Sequence, residues 1–167
     1  MLSGGDHRGK WILWALLPVL LCGCGREETF EIVSDEAVVP VMASPRQIRV
    51  DLPEDAVSPV LDQEGEQMYL CDGYDVFIEI CTAGDVSATV RSLSGYEKED
   101  LTVMETQWDD VTRYEFVWAA AGEQGDRLGR AVILDDGNYH YCMSILRDAE
   151  RSSQIVWDQV FSSFDLI

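Results

Sequence analysis

Hydrophobic and polar residues alternate with a period of two in several short stretches of the chain, which predicts β-strands. The first stretch is 47–52, and it stops at Pro53 because proline cannot donate to a strand ladder. Residues 54–64 are acidic and lack this alternation, which predicts a loop.

The next two stretches, 67–71 and 74–81, flank the dipeptide Asp72-Gly73. Asp-Gly between two apolar runs is typical of a two-residue hairpin turn, because glycine adopts positive φ without strain. The turn sets the register of the hairpin, so that Leu70 is expected to face Asp75.

The pattern changes to a helical period at 86–94, where apolar residues recur on one face. Asp85 precedes the segment as a candidate N-cap, and Gly95 follows it where a helix commonly ends. The apolar stripe consists of Val86, Val90 and Leu93.

Four further strand-like stretches follow, at 101–106, 113–118, 129–134 and 139–146. Gly122–Gly125 predicts a loop before the third stretch, and Asp136-Gly137 predicts a second hairpin turn before the fourth. The short connections predict an antiparallel meander, because parallel strands need long crossovers.

The last segment has a helical period from Asp148 or Ser152 to about Phe161. Its apolar stripe consists of Val156, Trp157, Val160, Phe161 and Phe164. The whole pattern predicts an α+β domain, in which an antiparallel sheet of about six strands is packed by a short helix and a C-terminal helix.

Composition agrees with one folded domain. The chain has 167 residues, of which 47% are hydrophobic, and this excludes intrinsic disorder despite a formal net charge of −19. With 31 acidic and 12 basic residues, the chain is a poor candidate for binding nucleic acid, which needs a basic surface.

The N-terminus has the pattern of an export signal. Arg8 and Lys10 precede the apolar run 11–21, which is about half the roughly 20 residues needed to span a bilayer. The run ends in Leu21-Cys22-Gly23-Cys24, which resembles the lipobox of bacterial lipoproteins.

The lipobox resemblance implies cleavage before Cys24 and lipidation of its thiol. We therefore predict a lipoprotein signal peptide at 1–23, a tether at 24–45 and a single α+β domain at 46–167. Cleavage removes two basic residues and one acidic residue, so the formal charge changes from −19 to −20.

Three cysteines remain after processing, which permits one disulfide at most. Cys71 and Cys81 are predicted on opposite faces of their hairpin, so Cys81 and Cys142 are the pair to test for a bridge. The absence of a Cys-x-x-Cys motif argues against a zinc knuckle or a thioredoxin-type site. We favour three free thiols and predict no metal ligand.

His140 is the only histidine after processing, and it lies in a predicted strand, so a structural role is favoured over a catalytic one. No Gly-x-Ser-x-Gly motif is present, and we predict no catalytic residue. Trp108, Trp118 and Trp157 are candidates for lining an apolar pocket, although core packing is the favoured interpretation.

Two acidic pairs, Asp109-Asp110 and Asp135-Asp136, are candidates for binding calcium, which prefers oxygen ligands. Neither matches an EF-hand loop, and the second pair is explained by its hairpin turn.

The order of elements resembles the PsbP-like fold, an antiparallel sheet with helices packed against it. The strand at 139–145, the helix after it and the ending Ser162-Ser163-Phe164-Asp165-Leu166 are similar to the close of many small secreted members. The chain also resembles small uncharacterised bacterial lipoproteins of Gram-positive gut anaerobes. Neither resemblance implies a catalytic residue.

We therefore expect a lipoprotein on the extracytoplasmic face of the cell membrane, acting as a non-enzymatic binding or accessory module of the envelope without a cofactor. Its expected partners are membrane lipid, through the acyl chains on Cys24, and an envelope protein. A low-affinity calcium-binding domain is the alternative, and an enzyme is a further one. A concave face with aromatic residues would favour a ligand-binding module, whereas a convex acidic surface would favour a protein partner.

Overall fold

The computed structural model describes residues 43–122, 125–150 and 155–167. The strands are Ile48–Arg49 (β1), Leu61–Gln63 (β2), Glu66–Cys71 (β3), Tyr74–Thr82 (β4), Met104–Trp108 (β5), Val111–Gly122 (β6), Gly125–Asp135 (β7), Tyr139–Asp148 (β8) and Asp165–Leu166 (β9). Seven of them form an antiparallel sheet in the order β2-β3-β4-β8-β7-β6-β5, and β1 and β9 form a separate two-stranded ribbon. The helices are Val86–Ser94 (α1), Trp157–Ser163 (α2) and a 3-10 turn at Lys98–Asp100.

This architecture is mostly antiparallel β-sheet with two helices and agrees with the predicted α+β class. The main sheet has seven strands where about six were predicted. Strands β5, β6, β7 and β8 form the predicted meander, and β8 then pairs with β4.

The first hairpin and α1 confirm their predictions. Leu70 faces Asp75 across the β3–β4 pair, and Gly73 has a φ of 87°. Helix α1 begins after Asp85, whose carboxylate accepts a hydrogen bond of 2.9 Å from the backbone N–H of Ser87. It ends at Gly95, which adopts a left-handed conformation with φ of 79°.

The predicted strand 47–52 is reduced to two residues, because its partner β9 offers only Asp165 and Leu166. The segment predicted as a loop at 54–64 contains β2, which pairs with β3 across a turn at Gly65. A three-residue strand is too short to produce a recognisable alternation.

Strand β5 begins at Met104, three residues later than predicted, because residues 101–103 form an irregular link after the 3-10 turn. The predicted loop Gly122–Gly125 is shorter than expected, because Gly122 and Gly125 form the last residue pair of β6 and β7. Helix α2 does not begin at Asp148, which belongs to β8 and pairs with Arg127. The alternative start, Ser152, lies outside the described residues.

The two faces of the sheet pack against different elements. The α2 face carries the larger core, in which Phe161 and Phe164 pack against strand residues such as Val76 and Met143. The α1 face carries a smaller core, built around Val90 of the helix and Phe116 of β6. Because neighbouring residues of a strand point to opposite faces, one set of strands supports both cores.

The predicted signal peptide and most of the predicted tether, with Cys24, lie outside the described residues. Within the described ranges, neither helix is long and apolar enough to cross a membrane.

Candidate functional site

Two adjoining cavities open beside helix α2, with volumes of about 870 and 630 Å³. Both are lined by Trp157 of α2 and Arg147 of β8. These volumes lie within the range of sites that bind small molecules, which is roughly 300–1,000 Å³. The shared residues make the junction of the two cavities the best candidate for a binding site.

Trp157 borders both cavities. Its indole ring meets the ring of Tyr74 edge to face, with a centroid distance of 5.0 Å. The Tyr74 hydroxyl donates a hydrogen bond to Asp55, and burial together with this carboxylate raises the pKa of Tyr74. The indole Nε1–H of Trp157 is buried and has no acceptor among the described residues.

The smaller cavity is mainly apolar, with Leu128, Ile145 and Phe161 among its lining residues. Arg130 also lines it, but its guanidinium pairs with Glu115 and lies 4.3 Å from the centre of the Phe161 ring. The charge of Arg130 is therefore already balanced by the protein.

Arg147 differs from Arg130. Within 43–122, 125–150 and 155–167, its side chain has no ion pair and no hydrogen bond, although the residue is half-buried. A half-buried cation without a partner is costly to keep. The Arg147 guanidinium and the buried Trp157 indole N–H are therefore two donors without an acceptor in the described part of the chain, on residues that line both cavities.

The three tryptophan candidates have different surroundings. Trp118 is buried in the α1-face core, as the favoured interpretation predicted, and it also lines the smaller cavity together with Trp157. Trp108 lies at the end of the edge strand β5 and is 58% exposed, so it belongs to neither the cavity nor the core.

A second polar cluster lies on the α1 face. Strands β4 and β8 bring one side-chain oxygen of Glu79 and the sulfur atoms of Cys81 and Cys142 within 4.8 Å of one another. All three described cysteines are free thiols, and Cys71 packs against the core of the opposite face, as predicted. The pair chosen from the sequence for a possible bridge is therefore adjacent in space.

The two thiols of this cluster differ in acidity. A hydrogen bond from the Cys142 thiol lowers the pKa of Cys81. The same hydrogen bond, together with burial, raises the pKa of Cys142. Burial and the neighbouring Glu66 carboxylate raise the pKa of Glu79.

His140 is completely buried on the same face. Its Nδ1 lies 2.8 Å from the Thr89 hydroxyl of α1, and its Nε2 lies 3.6 Å from the Asp135 carboxylate. These contacts join α1 to the sheet, and the ring has no exposure to an external substrate.

The acidic pairs considered for calcium are occupied by local contacts. Asp136 accepts hydrogen bonds from the backbone N–H groups of Asn138 and Tyr139 and from the Tyr141 hydroxyl. Asp135 accepts one from Gly137, as a hairpin turn requires.

At the other pair, Asp109 adopts a φ of 48° in the β5–β6 turn, and Asp110 lies 3.4 Å from Arg46. Neither pair forms a cluster of three or more ligands in the described parts of the chain.

Arg147 and Glu79 are the site residues that sequence reasoning missed. Each occupies a strand position with an ordinary polar residue type. Both lack a counter-charge among the residues that the structure describes because of the residues that the neighbouring strands place beside them, and the sequence alone does not show which residues those are.

No protein-family model matches the chain, and no curated protein matches it.

Proposed function

We propose that this chain is a membrane-anchored extracytoplasmic lipoprotein that acts as a non-enzymatic binding module of the cell envelope, with the junction of the two α2 cavities as its binding site. The observation that carries the proposal is the pair of cavities sharing Trp157 and Arg147. A concave site with an aromatic wall favours a ligand-binding module over a purely structural one.

The chemistry of the cavities favours an amphipathic ligand. The apolar lining of the smaller cavity suits a hydrocarbon or aromatic part of the ligand. The Arg147 guanidinium and the Trp157 N–H suit an anionic or carbonyl oxygen placed at the junction. The larger cavity is also lined by the carboxylates of Asp51, Glu54 and Asp55, so the proposed anion would have to lie at Arg147 and Trp157, the two residues that both cavities share.

The experiment titrates the full chain with anilinonaphthalene sulfonate, a fluorescent probe that combines aromatic rings with one anionic group. We expect Arg147→Gln to weaken binding roughly 10- to 100-fold, since a hydrogen bond to a charged group is worth about 1.5–3 kcal/mol. We expect Trp157→Phe, which keeps an aromatic ring but loses the indole N–H, to weaken it by about fivefold.

Arg91→Gln and Trp108→Phe are the matched controls, because both residues are exposed and lie away from the cavities. Probe binding that is equal in all four variants would contradict the cavity site. Thermal unfolding of each variant shows whether a loss of binding reflects a loss of folding.

The membrane anchor rests on the lipobox resemblance at Cys24. We expect Cys24→Ala to abolish labelling of the chain by a radioactive fatty acid and to release it from the membrane fraction. Retained labelling would refute lipidation at this residue. Cys22→Ala is the matched control, since the cleavage model places Cys22 in the removed peptide.

The PsbP-like assignment belongs to the same proposal. It is supported by the order of hairpin, helix, meander and covering helix, which the described elements follow. The formal charge of −20 on the processed chain, 24–167, gives it no electrostatic attraction to an anionic membrane, so the lipid alone would hold it there.

A further inference from the structure

We propose that Glu79, Cys81 and Cys142 form a binding site for a thiophilic divalent cation of the Zn²⁺ class. The site is independent of the α2 cavities, because it lies on the opposite face of the sheet.

The three residues lie on β4 and β8, two neighbouring strands in the middle of the seven-stranded sheet. Strand β4 pairs with β8 over its whole length, from Tyr74↔Arg147 to Thr82↔Tyr139. In this register Glu79 faces Cys142 directly, and Cys81 follows Glu79 on the same face of β4. Rigid strands hold ligands more precisely than loops do.

The Glu79 carboxylate lacks a counter-charge. It is half-buried, and its oxygens accept no hydrogen bond and form no ion pair in the part of the chain that the structure describes. Its neighbour across the β3–β4 pair is another carboxylate, Glu66. A partly buried carboxylate in such surroundings needs either a proton or a cation.

The two thiols determine which cation fits. Zn²⁺ binds cysteine sulfur at about 2.3 Å and carboxylate oxygen at about 2.0–2.2 Å. Thiolate ligands select Zn²⁺ over Mg²⁺ and Ca²⁺, which prefer oxygen ligands alone. Ligand atoms within 4.8 Å of one another need only a small inward movement to surround such an ion.

Three protein ligands leave the fourth tetrahedral position for water or an external ligand. His140 does not supply the fourth ligand in this arrangement, because its Nδ1 is engaged by Thr89 and its Nε2 faces Asp135. Binding would deprotonate both thiols and release their protons to solvent, so that two thiolates and one carboxylate face the cation.

The test uses the full chain carrying Cys22→Ser and Cys24→Ser, so that only Cys71, Cys81 and Cys142 remain as thiols. The reduced protein is titrated with Cd²⁺, whose thiolate complexes absorb in the ultraviolet, and then with Zn²⁺ as a competitor. We expect one Cd²⁺ per chain, with an absorption band that Zn²⁺ removes.

Cys81→Ser is expected to weaken binding by more than the roughly 10- to 100-fold caused by loss of an outer-shell partner. Glu79→Gln, which keeps the side-chain shape, is expected to weaken binding while leaving the absorption band in place. Cys71→Ser is the matched control and is expected to change neither the band nor the stoichiometry, since Cys71 lies on the other face.

Absence of the band, or its loss in Cys71→Ser alone, would overturn the proposal. The proposal would also be overturned if the chain, purified in the absence of air and oxidants, contained a disulfide between Cys81 and Cys142. Thermal unfolding checks that each variant is folded. Cys81→Ser and Glu79→Gln are both expected to fold, because the positions they alter are only half-buried.

Discussion

The two faces of the main sheet use the same strands for different purposes. On β8, Tyr141 and Met143 point to the α2 face and join a core rich in aromatic residues. The alternate residues, His140 and Cys142, point to the α1 face and form polar contacts with Thr89 and Cys81. The period of two therefore separates the larger hydrophobic core from the thiol and histidine side chains within one strand.

The largest expected effect comes from comparing the helix anchors of the two faces. Phe161→Ala on α2 removes a fully buried aromatic ring and is expected to reduce the free energy of unfolding by about 3–5 kcal/mol. Val90→Ala on α1 removes two buried methyl groups and is expected to cost about 2 kcal/mol. Urea unfolding of both variants measures the difference.

Equal losses in the two variants would break the comparison, because they would mean that the α1 face contributes as much to stability as the α2 face. Val156→Ala is a suitable control, since Val156 precedes α2 and is 55% exposed. It is expected to change stability by less than about 0.5 kcal/mol.

The next effect tests how tightly the α1 face is packed. A β-carbon added at Gly129 would lie 2.0 Å from Cε2 of Trp118, a distance that forces the indole to move. We expect Gly129→Ala to destabilise the protein by about 1–3 kcal/mol and to change its tryptophan fluorescence.

Gly84→Ala is the matched control, because nothing lies within 4 Å of its added β-carbon and its φ is not positive. It is expected to be neutral or slightly stabilising, since alanine restricts the unfolded chain. Similar destabilisation by both substitutions would show that the Trp118 contact is not the cause.

The smallest effect concerns pH and the α2 face. Burial alone would raise the pKa of Glu115, but its hydrogen bonds with Arg113 and Arg130 outweigh burial and lower it. Arg113 also donates hydrogen bonds of 2.7 and 3.0 Å to the carbonyl oxygens of Phe161 and Phe164. The ionised Glu115 carboxylate therefore helps to orient the Arg113 guanidinium, which binds the end of α2.

Because the folded pKa of Glu115 lies below its unfolded value of about 4.3, its stabilising effect is present above that value. The effect is lost as pH falls from there through the folded pKa. We expect the stability difference between the wild type and Glu115→Gln to shrink as pH decreases in urea unfolding. The exposed Glu99→Gln is the control, and a difference that grows on acidification would contradict the assignment.

Local features of the sequence predicted local structure well. Asp85 and Gly95 bound α1, and Asp72-Gly73 sets the register of β3 and β4, because each of these signals acts through the backbone of a few neighbouring residues. The β1–β9 pairing has no such signal. The alternation at 47–52 includes β1 but predicts a longer strand, and the two residues of β9 are too few to show a period.

The candidate sites depend on contacts between distant segments. Cys81 and Cys142 could be named as a pair by elimination, but Glu79 enters the cluster only through the β4–β8 register. Likewise, the Trp157 cavities depend on where α2 lies against the sheet. The hydrophobic pattern predicts that such a helix covers the sheet and leaves its exact position undetermined.

The β1–β9 ribbon has a consequence for the order of folding. It joins segments that are far apart in the chain, with Arg49 and Asp165 separated by 116 positions. Two residue pairs, the hydrogen bonds from Ile167 to Gln47 and from Asp51 to Ser163, and the burial of Leu166 offset the entropy of closing so long a loop. Because Leu166 packs on the core that the sheet and α2 form, these contacts follow the assembly of the sheet. We therefore expect the ribbon to form last and to open first, with rapid amide hydrogen exchange at Arg49 while the amides of β8 remain protected.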